Sequence, residues 1–147
     1  MKQARGLRNK NPLNIIKSAN INWQGEVKPS SDPNFAQFET IEYGLRAAFK
    51  LLRTYYVKHG CRTITQIISR WAPEKENQVV AYIKAVSQRT GIAPDVPLPP
   101  MKAETQVVWC NIVQAMAMVE CGLNSRELEE LAPYVVRGWI LSLPQNH

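Results

Sequence analysis

Glu120 ends an apolar run, "QAMAMV" from Gln114 to Val119, and stands two residues before Gly122. It is the only acid between Glu104 and Glu127. If the run is a helix stopped by Gly122, this carboxyl sits in the last turn. Apolar surroundings disfavour its charge and the negative helix end repels it, and both effects raise the pKa. A carboxylic acid kept protonated near neutral pH can protonate the leaving oxygen of a glycosidic bond. An exposed glutamate beside a helix cap is the competing reading, and the residues alone leave both open. Glu76 is the alternative acid and Glu42 stands behind it. Glu74 and Glu76 follow Pro73 in "RWAPEKEN" (Arg70–Asn77), at the first turn of a helix. There the helix dipole stabilises a charged carboxylate by about 0.3–1 kcal/mol, which suits an anchoring ion pair better than an acid catalyst.

A two-carboxylate glycosidase needs a second acid. The only aspartates, Asp32 and Asp95, lie in proline-flanked loops. A scheme in which a substrate hydroxyl acts as internal nucleophile avoids that demand. His59, at a helix end, and His147, at the terminus, are poor partners for a Cys or Ser nucleophile.

Binding residues concentrate near the start. "RGLRNKNPLNI" (Arg5–Ile15) holds three basic residues and three asparagines in eleven positions. Asparagine amides can hold tight turns by bonding their own backbone. A polar loop tied down by Leu7, Leu13, Ile15 and Ile16 would display Arg5, Arg8 and amides to a sugar or phosphate. Trp23, in "NWQG", offers a face on which a pyranose can stack, and reads equally as core. Phe35 and Phe38 read as core of the N-terminal section.

The elements that must position these residues are mostly helical. Apolar three- and four-residue steps predict a helix over 41–59, with Thr40 as N-cap and Gly60 as stop. Shorter helices are expected over 63–71 and 76–89, the latter with Val79, Val80, Ile83 and Val86 inward. A stiff connector over 92–100 has four prolines in nine positions. A long helix over 102–120 follows. The last, over 125–143, should start at Ser125 as N-cap and break near Pro133. Residues 1–40 lack helical periodicity and read as turns joining short extended pieces, such as Asn14–Ile16 and Ala36–Phe38.

At 147 residues with 45% hydrophobic and 20% charged residues, the chain is expected to be one globular domain. The three cysteines are widely spaced without a CxxC pair, so reduced thiols are expected, and neither a metal nor a cofactor is. The net charge of +6 is uneven: residues 1–62 carry eleven Lys/Arg against four acids. That favours a polyanionic partner, whether nucleic acid, an anionic membrane or a bacterial wall. Nucleic acid ranks last, because no Arg-rich recognition helix is present. No run approaches a membrane span. No apolar stretch follows the basic start "MKQARGLRNK", so the expectation is cytoplasmic synthesis without a cleavable signal.

Taken in order, "RGLRNKNPLNI", "NWQG", "FAQFETIEYGLRA" and "ITQIISRWAPEKENQVVAYIKAV" resemble the phage and prophage muralytic proteins that open with an RGxRNNNPxNI-like pattern. These include relatives of the lysins of enveloped double-stranded-RNA phages. The resemblance covers residues 5–91, and the last third matches more loosely through a helix ending in Glu before Gly. It implies a lysozyme-like, mainly α domain spanning residues 1–147, with an irregular N-terminal section and room for a small β element. It implies peptidoglycan glycan strands as partner and cleavage of the MurNAc–GlcNAc backbone, by lytic transglycosylase chemistry at Glu120. Arg5, Arg8, Asn9, Asn11 and Asn14 would shape the groove, with Trp23 and Phe38 beside it. Arg70, Trp71, Glu76 and Asn77 would form its second wall. In many lysozyme-like enzymes the acid-bearing helix precedes the Asn-rich segment; here it follows, a circularly permuted order. Lys10 stands where the family often has Asn, Leu13 where it often has Gly, and "VECG" replaces "HENG" around the acid. A protein without a signal would reach the wall through a holin, lysis, a secretion apparatus or a virion. A non-catalytic wall-binding or virion module and a peptidoglycan endopeptidase are the alternatives.

Overall fold

Two threonines set the helical frame. Thr40 Oγ1 accepts a hydrogen bond from the Tyr43 N–H and opens α2, Ile41–Lys58, while Thr63 Oγ1 does the same for Gln66 and opens α3, Ile64–Trp71. Each satisfies one of the backbone donors that a helix start leaves without a partner. The computed structural model describes residues 3–72 and 76–144, and at 76 and 77 the backbone alone. Ahead of α2 lie a one-turn helix α1, Arg5–Arg8, and the strands β1, Glu26–Val27, and β2, Gln37–Phe38. The strands pair antiparallel, Glu26 with Phe38 and Val27 with Gln37, and a separate bridge joins Ile16 to Phe35. After α3 come α4, Glu76–Thr90, and a 3₁₀ turn, Ala103–Thr105, running into α5, Gln106–Cys121; α6, Ser125–Ser142, follows. The protein is mainly α with a small β section.

α2 lies at the centre. It buries Leu45, Phe49 and Leu52 completely, and Trp139 of α6 meets Phe49 edge-on at 5.3 Å. Two glycines allow the close approach. A Cβ on Gly138 of α6 would fall 2.6 Å from Leu45 Cβ, and one on Gly44 only 2.0 Å from the Lys10 carbonyl oxygen. The proline-rich connector is stitched to the core rather than loose. Tyr56 Oη donates to the Leu98 carbonyl at 2.9 Å, and Trp109 Nε1 to that of Pro99 at 3.1 Å.

Four local expectations need correction. α6 does not break at Pro133. That residue and Glu129, whose carbonyl loses its helical partner, are both exposed, so the gap is on the solvent side while Leu131, Val135 and Trp139 hold the helix from the other. Its N-cap is Asn124 rather than Ser125, in a reciprocal capping box with Glu127. In α4, Val80 is 62% exposed, and Tyr82 takes the inward place beside Val86. Arg5–Arg8 forms one helical turn within a section read as lacking helix, and its Gly6 packs against Cys121 at the end of α5.

Candidate active site beside Glu120

Asp32 organises the opening segment. The Arg5 guanidinium grips it with two bonds, Nε to Oδ2 at 2.6 Å and Nη2 to Oδ1 at 2.7 Å. Asn9 Nδ2 donates to Oδ2 at 3.1 Å, and the backbone N–H groups of Asn34 and Phe35 both donate to Oδ1 at 2.9 Å. These donors, the Arg5 fork foremost, hold the Asp32 carboxyl far below the usual carboxylate range. Asn11 is wholly buried: its amide donates to the carbonyls of Ile15 and Ala36 and accepts from the Ile15 N–H. Arg8 bonds the Gln3 carbonyl. Arg5, Asn9 and Asn11 thus brace the opening segment, Arg8 is exposed, and none of the four lines the cleft beside Glu120, a correction to their expected role. Asn11 has both amide hydrogens and its oxygen engaged by the backbone, which leaves no donor for a ligand.

The scaffold presents Asn14, which occupies the left-handed region at φ 53°, a conformation that asparagine tolerates better than most residues. From there Asn14 Nδ2 donates to Glu120 Oε1 at 3.0 Å, across 106 positions of sequence. On the other side Tyr82 Oη, from α4, donates to Glu120 Oε2 at 2.9 Å. α5 delivers the carboxyl in its last turn, and Gly122, at φ 64°, closes the helix. Burial raises the Glu120 pKa. The bonds from Asn14 and Tyr82 pull it down, but less than burial pushes it up. Burial and the neighbouring Glu120 push the Tyr82 phenol well above its ordinary range, so it remains a donor.

Glu120 lies on a cleft of about 830 Å³. Trp23, Phe35, Tyr55, Trp71 and Tyr82 give it aromatic walls, Ile16 and Ile21 line it further, and Asn14 and Gln78 supply amides. Trp71 Nε1 donates to the Leu13 carbonyl at 3.2 Å, pinning the end of α3 to the opening segment. Among the described residues Glu120 is the sole carboxylate on this surface. No group of three or more metal-ligating side chains occurs among the described residues.

The structure thus brings together Asn14, Trp23, Trp71 and Glu120 of the expected site. Phe38 is 2% exposed and belongs to the core. Phe35, read as core, lies on the cleft instead, because side chains alternate across extended backbone. Arg70 lies beyond Tyr55, outside the cleft. Glu42 pairs with Arg137, Oε2 to Nε at 3.4 Å, away from the cleft. The side chains of Glu76 and Asn77 lie outside the described residues. Tyr82 and Gln78 went unnoticed in the sequence, and Tyr55 was read only as part of the apolar face of α2. Tyr82 had a signal, since it is three residues after Val79 and four before Val86, on the inward stripe of α4.

No helix among the described residues is long and apolar enough to cross a membrane. No family model matches the sequence. Protein P5 of Pseudoalteromonas phage PM2 is 40% identical over 130 residues, which span 87% of this chain and 78% of that protein. At that identity and coverage, the chain belongs to the family of the phage PM2 Protein P5.

Proposed function

We propose that this protein is a lysozyme-like domain that cleaves the MurNAc–GlcNAc backbone of peptidoglycan as a lytic transglycosylase. One observation carries the reading: a carboxyl of raised pKa is the only described acid on an aromatic, amide-bearing cleft. Aromatic faces stack on pyranose rings, and amides bond their hydroxyls. Protonated Glu120 gives its proton to the bridging oxygen as the MurNAc C1–O bond breaks, and the GlcNAc end leaves as an alcohol. Amide and carbonyl dipoles stabilise the oxocarbenium-like centre. The Glu120 carboxylate, now held by Asn14 and Tyr82, takes the proton of the MurNAc 6-hydroxyl, whose oxygen closes on C1. The products are a 1,6-anhydro end and a restored acid, with no second carboxylate required. Delivery to the wall would come through lysis, a holin, a secretion apparatus or a virion.

Incubation with purified sacculi, followed by mass analysis of the released fragments, tests this for the native protein and Glu120→Gln. Anhydro ends from the native protein alone are expected. Reducing ends would make the enzyme a hydrolase and freed peptides an endopeptidase. Binding without release would leave a wall-binding or virion module. That last reading has its own support, because both oxygens of Glu120 already have partners within the protein.

A further inference from the structure

Tyr55 stands between two concavities. It lines both the cleft and a recess of about 710 Å³ whose walls include His59, Gln66, Ser69 and Arg70. The two spaces differ in chemistry. The cleft carries an acid among aromatic and aliphatic walls. The recess has no carboxylate among its described lining residues and is furnished with an arginine, a histidine, an amide and a hydroxyl. The Arg70 guanidinium carbon lies over the Tyr55 ring, 5.3 Å from its centre. Tyr55 is itself set edge-on against Trp71 at 5.8 Å and against His59 at 6.4 Å. A continuous series of rings therefore leads from the cleft to the cation. No described carboxylate lies within ion-pair distance of Arg70 or His59. A guanidinium stacked on a ring keeps its fork of N–H groups free for a planar carboxylate, which it can bind with two parallel bonds.

We infer that this recess binds the carboxylate-bearing peptide appended to a wall glycan strand, so that the protein selects peptide-substituted strands over bare ones. The inference rests on the glycan reading of the cleft and adds to it the substrate's second anchoring point. A glycan laid in the cleft carries its lactyl-linked peptide to one side of the sugar chain, and a peptide of that kind ends in carboxylates. Sugar rings find their stacking surfaces in the cleft, whereas the recess offers positive charge and hydrogen-bond donors. Because Arg70 is exposed, its pairing with the peptide weakens as salt screens it.

Co-sedimentation of the full chain tests this independently of cleavage. The binding materials are intact sacculi and glycan strands stripped of peptide by an amidase. The native protein should bind the peptide-bearing material about tenfold more tightly, the size expected for one charge-assisted hydrogen-bonding contact. That ratio should shrink with added salt and fall to near one in Arg70→Gln, whose circular dichroism should match that of the native protein. Equal binding of the two materials by the native protein would overturn the inference and leave the glycan reading standing. So would a parallel loss on both in Arg70→Gln. Failure to bind either material would overturn both.

Discussion

The Glu120 carboxyl gains its chemical character from neighbours that oppose one another. Burial favours the neutral acid, and two hydrogen bonds favour the anion. Replacing it by Gln should lower glycan release by roughly 10²–10⁴, the usual worth of a general acid. The same replacement should stabilise the fold at neutral pH. A carboxyl whose folded pKa is raised contributes stability that is complete below its ordinary pKa and lost as pH rises through the raised one. The melting temperature of Glu120→Gln should therefore exceed that of the native protein at pH 7, and the gap should narrow near pH 4. Thermal melts across that range check the sign. Tyr82→Phe removes one of the two bonds that favour the anion. The alkaline limb of the pH–rate profile should then move to higher pH, which a merely structural tyrosine would not cause. The Cys121 thiol, one residue on, is pushed by burial to about 11, so it stays protonated and unreactive at neutral pH.

Elements position that carboxyl through a few close approaches. The opening segment depends on Asp32, 8% exposed and bonded by Arg5, Asn9 and two backbone N–H groups. Its depressed pKa has the opposite sign from that of Glu120. The stability it contributes is present above the ordinary carboxyl range and lost as pH falls toward the folded value. Acid titration of the native protein should show that loss below about pH 4, and Asp32→Asn should be flatter there and less stable at pH 7. α6 offers a separate test, because Pro133 sits inside a continuous helix with its ring in solvent. A proline in a helix interior costs up to about 3 kcal/mol relative to alanine, so Pro133→Ala should raise stability by about 1–3 kcal/mol in urea unfolding. A fall in stability would show that the proline shapes α6 in a way its packing does not reveal.

At the scale of the whole molecule, the cleft exists because the opening segment, α2, α3, α4 and the end of α5 converge. Trp71 marks that convergence, with its indole nitrogen on Leu13 and its ring on the cleft and against Tyr55. Trp71→Phe keeps most of the ring and removes the N–H. It should cost about 1 kcal/mol of stability, the net worth of one such bond, and weaken binding to sacculi in the same measure. The sequence alone determined the course of α2 to α5 and the stops at Gly60 and Gly122, because periodicity, a threonine cap and glycine stops are local and act over a few residues. It also singled out Glu120, since an acid closing an apolar helix is a local anomaly. It missed the α1 turn and misread the cap and continuity of α6. Tertiary structure alone decided which polar residues face the cleft. Asn9, Asn11 and Asn14 are one residue type in one short segment, and their roles diverge according to what lies opposite each. Asp32 and the Ala36 carbonyl claim the first two, whereas Asn14 alone is turned toward Glu120. Those partners are 23, 25 and 106 positions away in sequence, beyond the reach of any rule based on spacing. Burial and hydrogen bonding are properties of the folded neighbourhood, and a chain acquires them only when its distant parts meet.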